Sequence, residues 1–192
     1  MKWSISLLVL LLLFEGTSAY SQKKSILIPD GAIGQYAGSI GYLSAGVSYD
    51  LFKNQRGNID ILYGYVPSSK GGDLDILTAK FAYRPFTIEL NDAVVFYPIN
   101  PGAFFSYTID DKLSFSWDQD QYGKSYYGWS EAFRSHLSLS TEVELEGRKV
   151  LGNDMVKAFV FYSEVNATDL YIVSWAQNAG ALSLTDIFKL GL

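Results

Sequence analysis

From Phe133 to Glu146 the side chains change kind at every step. One parity holds Phe133, Ser135, Leu137, Leu139, Thr141, Val143 and Leu145, and the other holds Arg134, His136, Ser138, Ser140, Glu142, Glu144 and Glu146. A β-strand sends successive side chains to opposite faces, so this segment predicts a strand with one apolar face and one polar face. Soluble strands run to roughly five or six residues, whereas a strand crossing a bilayer needs about 9–11. A stretch this long and this regular must lay its apolar face against hydrocarbon or against a protein core.

The same period recurs along the chain. Leu43 to Leu51 alternates cleanly and is expected to be a strand beginning as early as Tyr36, with Gly38, Gly41 and Gly46 allowing curvature and room inside. Lys53 to Asn58 reads as a polar turn into a strand from Ile59 to Val66, with Ile61, Tyr63 and Tyr65 outward and Asp60 and Gly64 inward. Leu77, Ala79, Phe81 and Tyr83 oppose Thr78, Lys80, Ala82 and Arg84 in a strand that Pro85 ends, since proline cannot donate to a ladder. Thr87 to Gly102 reads as irregular, with a strand near Ala93–Tyr97 broken by Pro98 and Pro101. Phe105–Ile109 and Leu113–Trp117, around Asp110-Asp111, predict a tight hairpin.

After a long loop at residues 118–129 comes the Phe133–Glu146 strand and a turn at 147–154. Strands are then expected over Met155–Val165 and, past a turn at Asn166–Asp169, over Leu170–Trp175. Leu182–Leu192 fits either a short helix capped at Ser183, with Asp186 in its first turn, or a last strand. The expected fold is therefore all-β, an antiparallel up-and-down transmembrane β-barrel of about eight strands. A soluble β-sandwich shares the alternation but turns its apolar parity toward a common core.

Composition bears on that choice. Charged residues make up 18% and aromatics 16%, and the formal net charge is −5, which argues against a nucleic-acid partner. There is no cysteine, which excludes thiolate catalysis, cysteine zinc sites and a disulfide scaffold. Lys2, the apolar run Ile5–Phe14 and the small residues Thr17-Ser18-Ala19 read as a signal peptide over 1–19, leaving residues 20–192 as one barrel domain. Downstream of it no apolar run is long enough for a spanning helix, so a membrane-embedded form has to be a barrel.

On the polar parity, Lys80, Arg84, Arg134, His136, Glu142 and Glu144 are expected to pair across a narrow wet lumen. Tyr83, Tyr107, Trp117 and Trp129, near strand ends, are expected to sit at the membrane interfaces. Glu142, Glu144 and Glu146 share one face, but a metal site needs converging ligands; neither a metal nor a cofactor is expected.

The Leu77–Phe86 strand with Lys80, Tyr83, Pro85 and Phe86, the Tyr126-Tyr127-Gly128-Trp129-Ser130 loop running into Arg134 and His136, and the closing Gln177-Asn178 to Leu192 segment carry a likeness. With them the chain resembles small outer-membrane β-barrel proteins of Gram-negative bacteria, particularly those of the Bacteroidetes type. The resemblance implies an outer-membrane location, contact with outer-membrane lipid and insertion by the barrel-assembly machinery. An eight-stranded barrel is filled by its own side chains and is a poor pore, so the expected role is non-enzymatic, in structure, adhesion or binding, with an extracellular ligand reached through the 118–129 loop. Such barrels finish on a strand with a terminal aromatic residue; this chain ends at Leu192.

His136-Leu137-Ser138 is similar to the His-x-Ser of lipid A deacylase barrels, which implies an alternative catalytic set of His136, Ser138 and an orienting carboxylate such as Glu142. Two departures stand against it. His136 and Ser138 lie on the charged parity, and Asn178-Ala179-Gly180 lies far downstream of them instead of directly after. The competing assignment makes His136 a member of the lumen network. A third alternative is a secreted soluble barrel holding a hydrophobic ligand inside.

Overall fold

The computed structural model describes residues 27–110, 130, 132–178 and 183–192. The leader, the Leu113–Trp117 strand, the 118–129 loop with Trp129, Trp117 and Ala179-Gly180 all lie outside the described residues. The strands are β1 (Gly31–Tyr36), β2 (Leu43–Leu51), β3 (Gly57–Val66), β4 (Leu74–Tyr83), β5 (Ile88–Asn91), β6 (Val94–Ile109), β7 (Phe133–Glu146), β8 (Ala158–Thr168) and β9 (Lys189–Gly191). Among the described residues three short α-helices accompany them, α1 (Gly147–Leu151), α2 (Asp169–Gln177) and α3 (Leu184–Ile187), with a 3-10 turn at Ser68–Lys70. All strands join one antiparallel sheet in the order β1-β2-β3-β4-β6-β7-β8-β9, with the short β5 folded onto β6.

The sheet curls until its two ends meet. Tyr36 and Leu192 exchange backbone hydrogen bonds, and Ala37 bridges to Gly191. The closed barrel expected from the pattern is only partly realised, because β9 pairs with β8 only over Glu164–Asn166. Among the described residues, the facing edges of β1 (31–35) and β8 (158–163) have no ladder partner between them. The sheet is an open, curled half-barrel with a seam.

The alternation resolves into an inside and an outside. On β7, Leu137 is 61% exposed and Leu139 44%, while His136, Ser140 and Glu142 are buried. On β3 and β4, Ile61, Tyr63, Tyr65, Leu77 and Phe81 face out, and Asp60, Thr78 and Lys80 face in. Burial is thus inverted relative to a soluble sandwich, whose apolar parity is hidden. The buried apolar cluster is small: Ile40, Leu62 and Phe104, with Ile33 packed against it.

Several sequence expectations need correction. β1 covers residues read as a lead-in, because its GAIGQY segment has no alternating apolar signal and is specified by pairing with β2. β2 starts at Leu43; Gly38 (φ +81) and Gly41 (φ +128) belong to the β1–β2 connection, where the left-handed backbone favours glycine.

β6 runs unbroken for 16 residues through Pro98 and Pro101. Its edge toward β4 and β5 has no ladder partner between Phe96 and Gly102, and its register with β7 shifts between Tyr97 and Asn100. The missing proline donors therefore fall where the ladder asks least of them. Phe105–Ile109 is the end of β6, where Phe105 and Tyr107 pair with β4 on one edge and β7 on the other, and the Leu113–Trp117 half of the expected hairpin lies outside the described residues.

Gly147–Leu151 is a helical turn where a plain turn was expected. β8 extends through Asn166 to Thr168, and Leu170–Trp175 is helical instead of extended. Thr168 and Asp169 supply the start signal: the Asp169 carboxylate accepts from the Thr168 hydroxyl and the Leu170 N–H, each at 2.8 Å. Both alternatives for the last segment are realised in turn. The Asp186 carboxylate accepts from the Ser183 N–H at 2.9 Å and from its hydroxyl at 2.8 Å, opening α3, and β9 follows.

Gly64 marks where the β1–β2 connection presses into the barrel. A Cβ at this position would collide with the Ile40 carbonyl oxygen, a backbone atom that cannot step aside. Gly64→Val is expected to unseat Ile40 from its contact with Leu62 and Phe104, at a cost of about 1–3 kcal/mol. Denaturant unfolding of the variant, with Gly31→Val in open space as control, measures it; equal midpoints would refute the close approach.

Candidate functional site

Curling the sheet brings the inward parity of distant strands together. Gln35 on β1 is the hub. Its Oε1 accepts from the Lys80 ammonium of β4 at 2.7 Å and from the Tyr162 hydroxyl of β8 at 2.6 Å. Lys80 also pairs with Glu164 at 3.0 Å, the two side chains being 3% and 2% exposed. The same ammonium lies 5.3 Å from the Tyr162 ring centre and 5.7 Å from that of Phe104. β1 begins the sheet order and β8 stands next to last in it, so these bonds tie across the interior what the open seam leaves unpaired.

A second cluster occupies the end with the shorter connections. The Arg84 guanidinium pairs with Glu142 at 2.7 Å and lies 5.2 Å from the Tyr97 ring centre, and the Tyr97 hydroxyl donates to Glu144 at 2.9 Å. Asp60 accepts from the Ser48 hydroxyl at 2.5 Å and from the Asn58 amide at 2.9 Å. At the other end, Ser39 of the β1–β2 connection donates to Asn166 of β8 at 2.6 Å.

His136 lies toward the opposite end. Its Nε2 is 2.9 Å from the Ser106 hydroxyl, its ring stacks on Phe104 at 4.2 Å, and its Nδ1 has no hydrogen-bond partner among the described residues. Arg134 sits nearby and donates to the Ser130 carbonyl at 2.6 Å.

The expected network residues Lys80, Arg84, Arg134, His136, Glu142 and Glu144 are all on strand positions of the inward parity or directly continue it, but they form separate clusters. Arg84, Glu142 and Glu144 come together; Lys80 joins Glu164 and Gln35 instead, and His136 joins Ser106. The alternative catalytic set does not assemble. His136 meets Ser106, not Ser138, and Glu142 is six residues along the same strand, about 20 Å away at strand rise, and is held by Arg84. Tyr83 and Tyr107 lie at opposite ends of the sheet, with Tyr83 edge-on to Phe52 at 6.3 Å.

Gln35, Tyr162 and Glu164 escaped sequence reading. Tyr162, Glu164 and Asn166 do repeat every second residue, but Ser163 and Val160 blur the parity of β8. Among the described residues no group of acidic and histidine side chains converges as a metal site would require. No known family model matches the chain, and neither a curated protein nor a solved structure matches it.

Proposed function

We propose that this chain is an outer-membrane β-barrel protein, filled by its own side chains and non-enzymatic, with a structural, adhesion or binding role exercised through its loops, the 118–129 segment foremost. One observation carries the reading. A lysine–glutamate pair is almost fully buried inside the sheet while a belt of Leu, Ile, Phe and Tyr is turned outward. Such a belt in water would be an aggregation liability; in a bilayer it is the surface a barrel presents to lipid.

The outward tyrosines fit the same picture. Tyr65, opposite Asp75, and Tyr83 are eight β4 positions apart, roughly 26 Å of strand. At the usual barrel tilt that is about 20 Å of height, close to the ~25 Å apolar band between aromatic girdles. An interior packed with Phe104, Leu62, Gln35 and Lys80 leaves a sheet of this size poorly suited to act as a pore. It is equally unsuited to a hydrophobic guest, and among the described residues no carboxylate bonds to His136 Nδ1 as the hydrolase alternative would need.

Fractionation tests the proposal. The protein is expected in the membrane pellet, released only by detergent, with a gel mobility that changes on heating. Recovery from a soluble fraction without detergent would overturn it.

A further inference from the structure

Helices α2 and α3 do something unusual for a sheet whose outer face is apolar: they cover part of it. Ala167 has outward parity on β8 yet is only 3% exposed, because α2 folds back over the wall. Between the helices and the wall lies a cleft of about 300 Å³. Leu137, Leu139 and Val165 form its floor, and Ile172, Trp175 and Phe188 its sides. The volume admits on the order of ten methylene groups, each taking roughly the space of a water molecule.

Three observations say what occupies it. The floor is continuous with the outward apolar belt, since Leu137 and Leu139 belong to both. The helix offers water little: Asp169, at its first position, is its only charged residue, Ser174 and Gln177 are its other polar side chains apart from the Tyr171 hydroxyl, and Tyr171 and Val173 are 41% and 49% exposed. A helix apolar around most of its circumference belongs in an apolar medium. Finally, a cation stands at the rim. Lys189 follows Phe188, its ammonium lies 5.4 Å from the ring centre of Tyr171, and among the described residues it pairs with no carboxylate.

We infer that the cleft between α2–α3 and the β7–β8 wall holds one acyl chain of a phosphate-bearing anionic lipid, with Lys189 engaging the head group. The inference rests on the membrane reading above. α2 then acts as a clasp pressing a chain against the wall, and the site selects by head-group charge because the apolar floor itself cannot discriminate among saturated chains.

Tryptophan quenching tests it. Trp117→Phe combined with Trp129→Phe leaves Trp175 as the one tryptophan of residues 20–192. This protein is reconstituted into phosphatidylcholine vesicles containing a small mole fraction of phosphatidylglycerol brominated on its acyl chains. Trp175 quenching is expected to exceed the lipid's mole fraction several-fold, whereas brominated phosphatidylcholine at the same fraction quenches only in proportion. Lys189→Glu should abolish the excess, and Val165→Phe, which fills the cleft from the strand side, should do the same in protein that keeps its heat-dependent mobility. Proportional quenching by both lipids, or an excess that survives Lys189→Glu, overturns the inference. Protein that fails to float with the vesicles at all overturns the membrane reading itself, so the two failures are told apart.

Discussion

Lys80→Met is expected to destabilise the folded barrel by about 3–5 kcal/mol, the range found when one partner of a buried ion pair is removed and the other is left charged in a low-dielectric interior. The lysine does more than neutralise Glu164. Its ammonium shares Gln35 Oε1 with the Tyr162 hydroxyl, so it joins β1, β4 and β8 at a point where the sheet ends lack ladder bonds. Losing it strands Glu164, whose Oε1 already has no hydrogen-bond partner among the described residues.

Lys80→Met with Glu164→Leu should recover most of the loss, since replacing a whole buried pair by apolar groups is often neutral or stabilising. Urea unfolding of the single and double variants, followed by heat-dependent mobility, separates the terms. A single variant within about 0.5 kcal/mol of the unsubstituted chain would show that the pair does not hold the interior together.

If the belt meets lipid as proposed, Ile61→Arg is expected to cost about 2–4 kcal/mol, and Leu43→Arg only about 0–1, because an arginine on a lipid face is costly near the bilayer midplane and tolerated near its edges. Ile61 is mid-strand on β3, opposite Ala79 and Val47; Leu43 is at the end of β2. Both are already exposed, at 40% and 61%. In water, an arginine at either place would change stability by no more than about 0.5 kcal/mol. The depth dependence is therefore the diagnostic quantity, read from unfolding of vesicle-inserted protein. Two equal, small changes would place water, not hydrocarbon, against the belt.

Much of the wall could be read from single residues. β7 occupies the interval from Phe133 to Glu146 set by its alternation, β2 ends at Leu51 as expected, and the polar parity of Asp60 on β3 and Lys80 on β4 follows from counting by twos. Where alternation failed, so did the reading. β1 has two glycines in six residues and owes its existence to β2. β6 carries two prolines that a lone strand could not absorb, yet it stays extended because the adjoining edge is unpaired there and a register shift intervenes. The run Leu170–Trp175 is apolar enough for a strand, yet it is helical, with Asp169 in the first turn where a negative charge favours the helix dipole.

The candidate site divides in the same way. That Lys80, Arg84, His136, Glu142 and Glu144 face one compartment is a property of local geometry, since the β period assigns each residue a side without reference to anything distant. Which of them touch is not local. Lys80 could have met Glu142 as readily as Glu164; the curl of the sheet, and the meeting of Tyr36 with Leu192, chose the latter.

Period two alone therefore determined that this chain forms long two-faced strands with charge on one side and oil on the other. Only the tertiary fold decided that the charge lies inside, that β1 and β8 are tied through Gln35 with a seam beside them, and that α2 is laid back over the outer wall. Sidedness is set within a strand by pleating, whereas curvature and closure depend on pairings between residues more than a hundred positions apart, such as Gln35 with Tyr162 and Ser39 with Asn166.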